Sequence, residues 1–258
     1  MHINIHLNNE PPSETTLPVS STTCPESTPR VAETPKEYLY FAYGSNLSPS
    51  QMKQRCIVNP NLSGKPLAIA ILPKWRWLIC EAGYANVLPP PGLRVGAQKS
   101  DVADKVPVSG SEDAVYGVLY KMDLKDEAIL DGYEGVDCDA EDADGSAGVG
   151  VDIRPKEQGE GDYNKWYLPA KIFKWIHSED ESDNDNERES GREGLSGDGG
   201  GGEVDVLVYV DEERVRLAPP KTEYIGRMNR AIRESVALGV NERWVEEVMR
   251  RFIPAPEL

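Results

Sequence analysis

Apolar positions along the chain fall into short runs with two different periods. Glu37 to Tyr43 is crowded with residues that suit a pleated, half-buried surface and reads as a first strand. Pro66 to Leu72 is a continuous apolar run, Trp75 to Cys80 continues it, and Gly83 to Leu88 follows until Pro89-Pro90-Pro91-Gly92 breaks the pattern. Ala114 to Met122, Trp166 to Trp175 and Val204 to Val210 predict further strands, with Pro169 marking an edge or a bulge because it has no N–H to donate. Helical signals are fewer. Ser48 as N-cap and Pro49 at the first helical position predict a helix from Ser50 to Cys56. Asp123 caps a helix from Leu124 to about Tyr133, with Leu124, Ala128 and Leu130 toward the core. Thr222 to about Leu238 ends at Gly239, and Asn241 caps Glu242 to about Phe252. Strands precede the two closing helices without regular β-α-β alternation or a long repeat. This order predicts an α+β fold, a mixed, barrel-like β-sheet flanked by helices.

Composition sharpens the boundaries. Residues 1–34 are loaded with Ser, Thr, Pro and Glu, lack an apolar period and read as a disordered tail, leaving one domain over 35–253. The formal net charge of −16 is concentrated: from Asp137 to Glu203 there are 19 acidic residues against 7 basic ones. Two acidic, disordered insertions are expected there, at about 138–162 and 178–203, each a solvated loop that buries no core. Acidity of this kind argues against nucleic acid and anionic membrane as partners, since phosphate contacts need clustered Lys and Arg. No apolar run reaches membrane-spanning length and the N-terminus lacks a secretory pattern, so a cytoplasmic location is expected. Cys24, Cys56, Cys80 and Cys138 contain no Cys-x-x-Cys pair and read as free thiols, with no zinc or redox site. Asp137-x-Asp139-x-Glu141-Asp142 begins like a calcium loop, yet lacks the sixth-position Gly and the twelfth-position Glu. No metal and no cofactor is expected.

Two places carry candidate chemistry. In Tyr40-Phe41-Ala42-Tyr43-Gly44-Ser45-Asn46 a strand stops at a turn where Gly44 permits close approach and Ser45 and Asn46 offer short polar groups. Followed by a helix N-terminus, this is an anion-friendly corner. Alone it is equally an ordinary strand-turn-helix connection. The second place is Leu130-Asp131-Gly132-Tyr133-Glu134-Gly135-Val136, where a carboxylate at a helix end reads either as solvated surface or, flanked by Tyr133 and Val136, as a partly desolvated group whose proton affinity would rise. Ser45 as a hydrolase nucleophile fares badly. Ala42 to Leu47 is not a Gly-x-Ser-x-Gly elbow, and the chain has only His2, His6 and His177 to serve as base.

Taken in order, Tyr43-Gly44-Ser45-Asn46, Val115 to Tyr120, Tyr133-Glu134-Gly135-Val136 and the late Leu217-Ala218-Pro219-Pro220-Lys221-Thr222-Glu223-Tyr224 resemble the gamma-glutamylcyclotransferase family. Gly83 to Val87 is similar to that family's small-residue strand, and the likeness covers about Glu37 to Phe252. The resemblance implies cyclisation of gamma-glutamyl amino acids, releasing 5-oxoproline and a free amino acid, with Glu134 as the catalytic acid-base. It implies a substrate pocket from Tyr40, Phe41, Ala42, Tyr43, Gly44, Ser45, Asn46 and Tyr224. A further pocket tyrosine is expected after the first insertion, Tyr163 or Tyr167, with Tyr163 favoured. Tyr-Gly-Ser-Asn looks like the branch acting on gamma-glutamyl amino acids; the gamma-glutamylamine branch has Tyr-Gly-Thr-Leu and the glutathione-specific branch Tyr-Gly-Ser-Leu. Those two activities, and a non-catalytic gamma-glutamyl-binding module, are the rival readings. The expected partner is a small-molecule gamma-glutamyl substrate, with a homodimer left open.

Overall fold

Runs rich in β-branched and aromatic residues pair here into a closed barrel. The computed structural model describes residues 38–95, 113–176 and 202–256. In chain order the elements are β1 (Leu39–Ala42), α1 (Pro49–Arg55), α2 (Pro60–Ser63), β2 (Pro66–Pro73), β3 (Arg76–Ile79), β4 (Ala85–Leu88), β5 (Ala114–Lys121), α3 (Leu124–Tyr133), β6 (Asn164–Trp175), β7 (Glu203–Val210), α4 (Thr222–Leu238) and α5 (Glu242–Trp244). The barrel runs β1-β5-β2-β6-β7 and closes where β7 lies parallel to β1; its other pairings are antiparallel. β3 and β4 form a separate antiparallel pair. The α+β, barrel-like architecture expected from the sequence is therefore present.

Phe41, Leu119 and Trp166 on one face of the barrel sheet, and Tyr209 on the other, are all but fully buried. Each such burial contributes about 1.5–3 kcal/mol. Pro169 sits in β6 opposite Asp205 of β7, before the stretch of β6 that pairs with β2, so its missing N–H breaks no ladder bond on that side.

Several expectations need correction. Leu124 does not face the core: it is exposed, and α3 turns Asp126, Leu130 and Asp131 inward. The reason is tertiary hydrogen bonding, because the Asp126 carboxylate accepts from the N–H groups of Val58 and Asn59 and from the Ser63 hydroxyl. The last predicted helix is also not one regular helix. Asn241 does cap it, accepting from the Trp244 N–H at 3.0 Å, but α5 stops after three residues and Val245–Met249 continues as a π turn. The Trp244 indole meanwhile donates to the Ala114 carbonyl at 2.8 Å, a tertiary bond that holds this end of the chain against β5.

The first acidic insertion departs further from expectation. Residues 138–162 do not simply lie in solvent: Val149 joins the core, and Arg154 is buried with both Glu212 oxygens on its Nε at 2.9 and 3.1 Å. Glu212 in turn accepts from Asn164 at 2.7 Å and from the Trp166 indole at 2.9 Å. A buried charge is kept by such partners, and here they stitch the segment to the barrel. The tail 1–34 and all but the last two residues of the second insertion, 178–203, lie outside the described residues. Cys56 and Cys80 are free and buried, whereas Cys138 is disulfide-bonded, which corrects the free-thiol expectation for that residue. Among the described residues no helix is long and apolar enough to cross a membrane.

Candidate active site

The end of β1 starts the site. After Ala42 the chain leaves the barrel, passes Gly44 and makes a 3-10 turn at Ser45–Leu47 before Ser48 caps α1 by accepting from the Gln51 N–H at 3.1 Å. The N–H groups of Gly44, Ser45 and Asn46 donate to no backbone carbonyl among the described residues, as expected at the start of a helical turn. Gly44 lets the chain pass closely here: a Cβ would lie 3.0 Å from the Tyr224 hydroxyl and 3.3 Å from the Ala85 Cβ, tight enough that these neighbours would have to shift.

Glu134 arrives from the other side, at the C-terminal end of α3. Its Oε1 accepts from Asn46 Nδ2 at 3.0 Å and from an Arg55 guanidinium nitrogen at 2.9 Å. No described residue bonds Oε2, which is left for a ligand. Burial pushes the proton affinity of Glu134 up, while Arg55 and Asn46 pull it down. Asn46 is itself held, because its Oδ1 accepts from Gln51 at 2.9 Å and Arg55 at 3.0 Å, and its amide also donates to the Tyr40 hydroxyl at 2.9 Å. Gln51 and Arg55 sit one turn apart on one face of α1, so a single short helix brings both to the Asn46 amide.

Together these groups wall a cavity of about 430 Å³ lined by Tyr40, Tyr43, Gly44, Ser45, Asn46, Glu134, Tyr163 and Tyr224 among others. Seven of the nine predicted substrate-binding residues therefore meet Glu134 in one place. Phe41 and Ala42 do not line it; both are buried in the barrel. Tyr163 lines the cavity and donates to the Ala85 carbonyl at 2.8 Å, whereas Tyr167 packs on Tyr38 with ring centroids 4.2 Å apart. The Tyr43 hydroxyl is committed to the Tyr209 carbonyl at 2.6 Å, so this residue presents its ring. Ser45 Oγ accepts from Gln51 at 2.7 Å and has no histidine beside it among the described residues.

Tyr40 and Tyr224 differ from Tyr43. The Tyr40 hydroxyl accepts from Asn46, and backbone N–H groups of Ala85 and Ser45 act on the Tyr224 hydroxyl, so each keeps its own proton to donate. Burial holds Tyr40 well above the ordinary tyrosine value and Tyr224 at about 12, which keeps both hydroxyls protonated near neutral pH. Arg55, Arg214, Lys221 and Arg227 also reach the cavity, and sequence reasoning missed all four. Only Arg55 left a trace, in its one-turn spacing from Gln51 on the helix after the Gly44 turn. Chemically the cavity offers one desolvated carboxylate oxygen, two hydroxyl donors and the N–H groups of Gly44 and Asn46. Among the described residues no cluster of His, Cys, Asp and Glu is placed to hold a metal ion.

No protein-family model matches the chain, and no curated protein sequence matches it. Among solved structures it is similar to YkqA from Bacillus subtilis, at 15% identity and a TM-score of 0.47, over 86% of this chain and 56% of that one. The chain thus spans little more than half the length of YkqA. An uncharacterised protein from Homo sapiens is similar at 17% identity and a TM-score of 0.44, over 86% of this chain and 91% of that one. A gamma-glutamyl cyclotransferase specific to glutathione, from yeast, is similar at 13% identity and a TM-score of 0.40, over 80% of this chain and 90% of that one. Likenesses of this size carry no function across.

Proposed function

We propose that this protein is a gamma-glutamylcyclotransferase acting on gamma-glutamyl amino acids and releasing 5-oxoproline and a free amino acid. The observation that carries the reading is Glu134: a desolvated carboxylate with Oε1 fixed by Asn46 and Arg55 and Oε2 open to the cavity. Such a group is a base suited to an ammonium.

In the reaction the substrate's own α-amine attacks its γ-carbonyl carbon. One C–N bond forms as the ring closes, and the bond to the leaving nitrogen breaks. Two protons leave the attacking nitrogen and two reach the leaving nitrogen, so Glu134 takes and returns a proton twice. The hydroxyl protons of Tyr40 and Tyr224 and the N–H groups of Gly44 and Asn46 are donors for the substrate's oxygens, where charge develops on the γ-carbonyl. Because the reaction is intramolecular, folding the flexible glutamyl chain into its reactive shape supplies much of the gain; effective molarities reach roughly 10⁵ M or more in well-oriented cases. The bond from Asn46 to Glu134 supports the gamma-glutamyl amino acid branch, since a Leu at that position has no amide to offer.

Separate incubations with gamma-glutamyl-alanine, with glutathione and with a gamma-glutamylamine, each followed by assay for 5-oxoproline, test the reading. Product from the dipeptide is expected. Product from glutathione alone moves the protein to the glutathione-specific branch, product only from a gamma-glutamylamine to the other, and product from none leaves a binding module.

A further inference from the structure

The charges around the cavity are not all matched. Arg55 pairs with Glu134, and Arg214 pairs with Asp162 at 2.7 Å and Asp211 at 2.5 Å. Arg227 pairs with Glu223 at 3.0 Å, and Glu223 itself does not line the cavity. Lys221 is the remaining cation of the wall: it forms no ion pair with a described residue and acts on Glu223 only at longer range, across the Tyr84 hydroxyl that both contact.

Its position is fixed from two sides. The Lys221 N–H donates to the Gly83 carbonyl at 3.1 Å, and Gly83 holds a left-handed φ of 77° where an added Cβ would lie 2.7 Å from the Lys221 side chain. The ammonium lies 4.4 Å from the centroid of the Tyr84 ring and 3.3 Å from the Tyr84 hydroxyl. Tyr84 in turn meets Tyr224 edge-on, with centroids 5.0 Å apart, so Lys221 is joined to the same wall as the proposed substrate tyrosine.

We infer that Lys221 is a specificity residue that binds the carboxylate of the leaving amino acid. The inference rests on the cyclotransferase reading above. A gamma-glutamyl dipeptide carries two carboxylates and one ammonium. The ammonium goes to Glu134, the adjacent α-carboxylate goes to the N–H groups of the Gly44 turn, and the leaving half brings the second carboxylate to the unmatched cation.

Gamma-glutamyl-alanine and gamma-glutamylethylamide differ only in that carboxylate, so they form the test pair. The wild-type protein is expected to favour the dipeptide by about tenfold in kcat/KM, chiefly through KM, as a charge-assisted contact at a partly open site allows. Lys221→Met is expected to bring that ratio close to one, and Lys221→Arg to restore most of it. An unchanged ratio, or equal losses on both compounds, overturns the inference. If the wild-type protein turns over neither compound, the cyclotransferase reading fails, and calorimetric binding of the same pair decides this one: a Lys221-dependent preference for the dipeptide upholds the subsite, and no preference refutes it.

Discussion

Replacing Arg55 by Met removes the guanidinium from Glu134 while keeping an aliphatic stem of similar reach. The two groups are 2.9 Å apart, with side chains 15% and 17% exposed. At an effective dielectric near 20, unit charges about 3 Å apart interact by roughly 5 kcal/mol. Solvent screening and the exchange of hydrogen bonds with water reduce the removable part to about 1.5–3 kcal/mol. Arg55 favours the ionised carboxylate, so its loss adds to the upward push of burial. Glu134 works ionised, and the same ionised fraction then needs a higher pH. The acid limb of kcat/KM for gamma-glutamyl-alanine is expected to move up by about 1–2 pH units at 1.36 kcal/mol per unit, with activity partly recovered at high pH. A limb that stays in place, or moves to lower pH, would refute the assignment of Glu134 as a base tuned by Arg55.

Two further substitutions probe the frame. Gly44→Ala forces the Tyr224 hydroxyl and Ala85 apart by a few tenths of an ångström and is expected to cost about 1–3 kcal/mol, read from the urea midpoint, together with a loss of kcat/KM; a variant that keeps both shows that the close approach has no role. Arg154→Met leaves Glu212 buried without its cation and is expected to cost about 3–5 kcal/mol in urea unfolding; an unchanged midpoint shows that the 138–162 segment is not part of the core.

Local pattern carried most of the elements, since strand runs such as Ala114 to Lys121 and caps such as Ser48 are written in neighbouring residues. Closure of the barrel depends on β1 meeting β7 across most of the chain, which no local period encodes. The 138–162 segment was misread for a related reason. Its acidity suggested solvent, yet Arg154 finds Glu212 58 residues further on. At the site, Glu134 and the Gly44 turn were legible from their residue types, and their contact was not, because it spans 88 residues. Asn46 changed most in meaning: expected to touch substrate, it also holds the Glu134 carboxylate in place. Lys221 stayed invisible because a lone cation beside a Pro-Pro segment reads as ordinary surface, and Arg227 because a cation within α4 reads the same way.

Everything proposed for the cavity depends on Glu134 driving the cyclisation of a gamma-glutamyl amino acid. The decisive assay follows release of 5-oxoproline from gamma-glutamyl-alanine by the wild-type protein and by Glu134→Gln, at matched concentration and with folding confirmed for both. Steady release is expected from the wild type, and none above background from the folded variant. Undiminished release by Glu134→Gln would remove the carboxylate from the mechanism.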